Sequence, residues 1–183
     1  ILHHALQNTL GSHAQQQGSK VDEDWLRFDF TNMEPVSDEQ LKDIEQQVQT
    51  LVQSGQPIQW EILPLADARS KGAMMLFGEK YPDPVRMVSM GEFSRELCGG
   101  THLNSTSDVG DFQITSEEGV AAGTRRIIAL TGTKATDYIS EIESLFSSTT
   151  DALTATGGNL TAAVDELTGQ IRELKKQLSS GNT

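Results

Sequence analysis

The chain is poor in the residues that most readily announce a function. Among its 183 residues there is one Cys, so no disulfide can form within the chain. A lone thiol fits a reducing compartment, and the cytoplasm is the expected location. Aromatic residues make up only 5%, two of them Trp. No apolar run approaches the roughly 20 residues that cross a bilayer, so a membrane-spanning role is excluded. Positive charge is scarce too: 14 Lys and Arg stand against 26 Asp and Glu, a net −12. That balance argues against a broad grip on nucleic-acid backbone, which needs clustered cations, and no DNA partner is expected. A starting Met, a basic leader and transit-peptide composition are missing as well. The first helical pattern opens without a cap, and the expectation is a piece cut from a longer protein.

What is present points to an α+β fold, mainly antiparallel sheet packed with helices and followed by a C-terminal helical pair. Ile1, Leu2, Ala5, Leu6 and Leu10 form an apolar stripe at helical spacing, with Gly11 as its stop. Residues 12–24 are polar and read as a loop. Leu26, Phe28 and Phe30 alternate on one face of a strand, whereas Trp25 breaks the period. Ser37-Asp38-Glu39-Gln40 is a capping box opening a helix through Leu41, Ile44, Val48, Leu51 and Val52, which stops at Ser54-Gly55. Ile58, Trp60 and Ile62 alternate as a strand, residues 65–71 read as a short helix ended by Gly72, and residues 85–90 read as a strand ended by Gly91. Two further strands, 112–115 and 125–130, are separated by turns at Glu118-Gly119 and Ala122-Gly123.

Composition changes at Thr136. The remaining residues contain no Trp or His, one Tyr and one Phe. Two domains are therefore expected, 1–135 and 136–183. The second holds two helical stretches around Gly157-Gly158-Asn159, a turn sequence that favours an antiparallel pair. Leu160, Val164, Leu167, Ile171, Leu174 and Leu178 recur in steps of four and three, an a/d seam too short for a firm coiled coil. The pair is either a partner-seeking arm, capable of self-association, or a subdomain packing on itself. Both parts are acidic: 11 basic residues against 19 acidic in 1–135, and 3 against 7 in 136–183.

Chemistry concentrates in Cys98-Gly99-Gly100-Thr101-His102. A thiol and an imidazole four apart can reach one metal ion, and two glycines between them permit a tight turn. Two ligands do not close a zinc site. The same residues are equally consistent with a buried thiol beside an incidental His, or with a nucleophilic Cys–His pair. Arg125-Arg126 is the one place before the tail where positive charges adjoin. On a strand they face opposite ways, so one can meet a phosphate while the other pairs with a carboxylate; an ordinary surface ion pair is the plain alternative. Lys175-Lys176, near a helix end, is favoured by the helix dipole alone.

The run Arg95-Glu96-Leu97-Cys98-Gly99-Gly100-Thr101-His102 resembles the Cys-x-x-x-His motif of the alanyl-tRNA synthetase editing-domain family. Leu76-Phe77-Gly78-Glu79-Lys80-Tyr81, Val88-Ser89-Met90-Gly91-Glu92-Phe93-Ser94, Val109-Gly110-Asp111-Phe112, Gly123-Thr124-Arg125-Arg126-Ile127 and Leu26-Arg27-Phe28-Asp29-Phe30 match in the family's order. The resemblance covers residues 1 to about 133 and implies a hydrolase that removes wrongly attached serine or glycine from alanine-specific tRNA. It implies zinc held by four ligands, of which Cys98 and His102 are two. The other two form a His-x-x-x-His pair that the family places just before the segment matching Ile1-Leu2-His3-His4-Ala5-Leu6. His3 and His4 do not occupy those ligand positions.

By the same resemblance Gln16 matches the family's active-site glutamine, with Gln15 and Gln17 as its register neighbours and a polar surface loop as the plain alternative. An aminoacyl ester is already activated towards water, so a catalyst must position water, stabilise an oxyanion and accept serine's extra hydroxyl. Thr101, beside the ligands, is a second candidate. Asp29 either orders the site or faces solvent, and Arg125 is the candidate for tRNA. The leading expectation is a piece of an aminoacyl-tRNA ligase: its editing domain and the helical segment after it. A free-standing trans-acting editing protein and an inactive tRNA-binding scaffold are the alternatives.

Overall fold

The computed structural model describes residues 1–75, 80–152 and 160–180. The chain divides into two units, Ile1–Thr136 and Asp137–Thr183. It is an α+β protein with antiparallel sheets and a C-terminal pair of helices.

Unit 1 is built on a four-stranded antiparallel sheet in the order β1-β2-β7-β6: Gln16–Val21, Leu26–Thr31, Thr124–Thr131 and Phe112–Ala121. One face is covered by α1 (Leu2–Leu10) and α2 (Asp38–Gln53). The expected alternation holds on β2, where Phe28 and Phe30 are buried. They pack with Leu6 of α1, with Ile44, Val48 and Val52 of α2, and with Ile127 of β7. Burying such aliphatic and aromatic side chains contributes about 1.5–3 kcal/mol each, which makes this layer the main source of cohesion.

The capping box forms as the sequence indicates. Gln40 N donates to Ser37 Oγ at 3.2 Å, and Ser37 N donates to Gln40 Oε1 at 3.0 Å. α2 also guards the sheet edge. Phe112 N donates to Gln49 Oε1 at 3.2 Å and Ile114 N to Glu45 Oε1 at 2.7 Å, occupying amides that an edge strand would otherwise expose. At its far end, fully buried Thr106 donates to Leu51 O at 2.9 Å and accepts from Gln56 N at 2.9 Å, which ties up a late carbonyl of the helix.

A second, three-stranded antiparallel sheet has the order β3-β4-β5: Ile58–Leu63, Val85–Met90 and Ser94–Leu97. The short helix α3 (Leu65–Ser70) packs its Ala68 against Leu63, Val85 and Met87. Trp60 and Ile62 on the edge strand β3 stand exposed at 61% and 64% rather than in a core.

Three details depart from the sequence reading. The polar stretch after Ser12 contains the strand β1, formed by pairing with β2 rather than by an apolar face of its own. β5 was not foreseen either. β6 runs through Glu118-Gly119, so the single hairpin turn there is Ala122-Gly123, with Gly123 at φ 72°.

Unit 2 contains most of α4 (Gly132–Ala152) and α5 (Leu160–Ser180). Ile142, Leu145 and Phe146 on α4, and Val164, Leu167, Ile171 and Leu174 on α5, are each 40–58% exposed. The expected turn Gly157-Gly158-Asn159 lies outside the described residues, as do Leu76-Phe77-Gly78-Glu79 of the quoted motifs. Among the described residues no helix is long and apolar enough to cross a membrane.

Candidate functional site

Unit 1 carries an open-mouthed cavity of about 430 Å³. Its apolar walls include Leu26 and Phe28 from β2, Val48 from α2, and Met90 and Leu97 from the smaller sheet. Polar side chains interrupt that lining, among them Gln16, Ser19, Glu96, Cys98 and His102, while His3 sits at the same wall from α1. An apolar hollow with a few convergent polar groups is the form that ligand sites take.

Gln16 opens β1 opposite Phe30, and the register shifts between Gln16 and Gly18. Such a bulge re-aims a side chain without disturbing the rest of the ladder. Gln16 Nε2 donates to Ser19 Oγ at 2.8 Å, which leaves the amide oxygen as an acceptor. Its register neighbours behave differently. Gln15 is exposed and donates to Ser12 O at 2.7 Å, and Gln17 is exposed, so of the three glutamines Gln16 is the one at the cavity.

Cys98 and His102 follow β5 on one loop, and both line the cavity. Cys98 is a free, half-buried thiol. The loop's shape does not come from left-handed glycine: neither Gly99 nor Gly100 has a positive φ. It is held instead by Arg86 of β4, whose Nη1 donates to Cys98 O at 2.7 Å and to Gly100 O at 2.8 Å. Cys98 N in turn donates to Arg86 O at 3.2 Å. His102 Nδ1 lies 3.0 Å from Gly100 O. A carbonyl only accepts, so Nδ1 carries the proton and Nε2 keeps its lone pair in the neutral ring.

A thiolate and an imidazole with its second nitrogen engaged by a carbonyl form a donor set suited to zinc, and the outer hydrogen bond is the type that orients metal-bound His. Cys98 and His102 therefore fit as two ligands of such an ion. Among the described residues no group of three His, Cys, Asp or Glu side chains is assembled to hold a metal.

The other candidates lie elsewhere. Thr101 is exposed and does not line the cavity. Asp29 falls between inward-facing Phe28 and Phe30 and pairs with Arg126, whose hydrogen bonds hold its carboxyl below the usual range. Arg125 grips Glu117 through Nε and Nη2, both at 2.5 Å, and this contact raises its own pKa. Both arginines of the Arg125-Arg126 pair are thus engaged with carboxylates on the sheet.

His3, which the resemblance sets aside as a metal ligand, lines the cavity nonetheless. It is 4% exposed, Nε2 meets Ala14 O at 3.1 Å, its ring tilts against Phe28 at 5.5 Å, and burial lowers its pKa against the opposing pull of Glu96. The signal was available: His3 lies three residues before Leu6, on the buried face of the helix. His4 instead contacts Phe93 and accepts from Asn8.

Residues 85–128, from β4 through the Cys98–His102 loop into β7, match the family described as "Threonyl and Alanyl tRNA synthetase second additional domain". Relatives match almost the whole chain. The alanine–tRNA ligase of Rhodopirellula baltica is 55% identical over 181 residues, 99% of this chain and 19% of the relative. Those of Clostridioides difficile and Idiomarina loihiensis are 46% and 44% identical, each over 97% of this chain and 20% of the relative. The chain is homologous to one segment of the alanine–tRNA ligases. It spans about a fifth of the length of the curated relatives it matches. Within the chain, the family match includes Cys98, His102 and Arg86, while Gln16 and His3 lie before it.

Proposed function

We propose that this chain is the editing unit of an alanine–tRNA ligase with the helical segment that follows it, and that its cavity hydrolyses the ester joining serine or glycine to alanine-specific tRNA. The observation that carries the reading is the convergence of Gln16 with Cys98 and His102, which follow it by more than 80 residues, on one cavity. In the reaction, a water oxygen adds to the ester carbonyl carbon. The bond to the ribose oxygen then breaks, and that oxygen leaves with a proton, giving free amino acid and uncharged tRNA.

Cys98 and His102 would hold zinc as two of its ligands, and the ion would supply a centre that polarises the ester and lowers the pKa of water. The protein's own task is selection. Serine differs from alanine by one hydroxyl, and a site built to hydrogen-bond a hydroxyl gains most of its selectivity from that contact. Gln16 offers the amide oxygen for it, and Leu26 and Phe28 supply the apolar surround that makes an unmet partner costly. The negative charge of unit 1 and the engagement of Arg125 and Arg126 leave tRNA recognition to local contacts and to the rest of the ligase.

The test is deacylation of seryl-tRNA by the full-length ligase carrying Gln16→Met. The expected result is about a 10- to 100-fold loss with serine and a smaller loss with glycine, which has no hydroxyl. Equal losses for the two substrates contradict the role assigned to Gln16.

A further inference from the structure

We propose that Arg86, stacked on Trp60, is a positioning residue that sets the Cys98–His102 loop and fixes the His102 tautomer. The proposal rests on the editing reading of this cavity and adds to it residues outside the cavity wall.

Four contacts carry it. Arg86 Nη1 reaches both Cys98 O at 2.7 Å and Gly100 O at 2.8 Å, so one nitrogen spans the first three residues of the loop. Gly100 O is also the group that meets His102 Nδ1 at 3.0 Å. The guanidinium carbon lies 5.1 Å from the Trp60 ring centroid, within cation–π range. In the β3–β4 ladder Arg86 sits opposite Ile62, two positions from the Trp60–Val88 pair and on the same face, so the sheet itself delivers the contact.

The chemistry follows. A carbonyl has two lone pairs, and Gly100 O shares them between Arg86 and His102. Pulling on that oxygen with a permanent cation fixes where His102 finds its acceptor, and hence which ring nitrogen stays bare towards the cavity. A Lys at this position is not equivalent, because its ammonium does not stack as a plane on an indole. Trp60, exposed at 61%, has no core to join; its ring lies against the Arg86 guanidinium instead.

The experiment uses the full-length ligase with Arg86→Met, Arg86→Lys and Trp60→Ala. Arg86→Met is expected to lower kcat for seryl-tRNA deacylation about 10- to 100-fold with KM little changed, because misplacing a site by an ångström costs on that order. Arg86→Lys should recover part of the loss, Trp60→Ala should show a smaller one, and in a fourth variant, Arg86→Ala, added guanidinium ion should restore activity. Alanine activation should be untouched throughout. Independently of activity, nitrogen NMR on the metal-stripped ligase, where no ion can fix the ring, should find His102 protonated at Nδ1 in the parent and as a mixture of tautomers in Arg86→Met. An unchanged tautomer with unchanged kcat overturns the proposal; Trp60→Ala, a surface change, keeps the test open should Arg86→Met fail to fold. A parent ligase that does not deacylate seryl-tRNA defeats the editing reading instead, and the tautomer measurement still decides the role of Arg86.

Discussion

Asp29 and Arg126 meet in a two-point ion pair across neighbouring strands, Nε to Oδ1 at 2.7 Å and Nη2 to Oδ2 at 2.9 Å. Arg27 approaches the same carboxylate at 3.6 Å. The two residues are direct partners in the β2–β7 ladder, so the pair staples the centre of the four-stranded sheet on the face away from the aromatic core. A residue that invited a substrate role in the sequence is a structural one in the fold.

Asp29→Asn should therefore destabilise the domain by about 2 kcal/mol at neutral pH, in the range for hydrogen bonds to charged groups. The pH dependence has a defined sign. Arg126 depresses the Asp29 pKa in the folded state, so its stabilisation is complete above the ordinary Asp value near ~4 and is lost as pH falls through the lower folded value. Denaturant titrations from pH 7 down to pH 2 should show this loss in the parent and a flatter profile in Asp29→Asn.

His3 has the opposite chemistry and a different window. Burial lowers its pKa, so the unfolded chain takes up a proton near pH ~6.5 while the folded protein resists it. Stability should be full above that value and fall as the solution is acidified, by up to about 1.4 kcal/mol per pH unit. His4, lowered by burial as well, adds a slope of the same sign, so His3→Gln and His4→Gln are compared separately. Urea unfolding between pH 7.5 and 5 should be less pH-sensitive in His3→Gln than in the parent. An identical slope would show that the His3 ring takes its proton as readily in the fold as out of it.

Much of this fold is legible in the sequence wherever one segment carries its own instructions. Ser37 and Gln40 specify the start of α2, and Leu26, Phe28 and Phe30 specify the inward face of β2, because capping and two-residue alternation are local properties. β1 escapes notice because Gln-Gln-Gly-Ser-Lys-Val has no apolar alternation; its strand conformation is imposed by pairing with β2. The site divides along the same line. Cys98 and His102 are visible as a motif and Gln16 by resemblance, whereas Arg86 is one residue of an ordinary strand until β4 and the loop come together. Arg125 is a third case: adjacent arginines suggest a phosphate contact or an ion pair, and which carboxylate is in reach, Glu117 across the β6–β7 hairpin, is visible only in the fold.

The central claim is that the Cys98–His102 cavity is a hydrolytic editing site separate from the chemistry of amino-acid activation. The most direct measurement is seryl-tRNA deacylation alongside alanine activation in the full-length ligase carrying Cys98→Ala. Deacylation should fall at least about 100-fold, as expected when a group central to the reaction is removed, while activation keeps its parental rate. Parental deacylation in Cys98→Ala, or loss of both activities together, would contradict it.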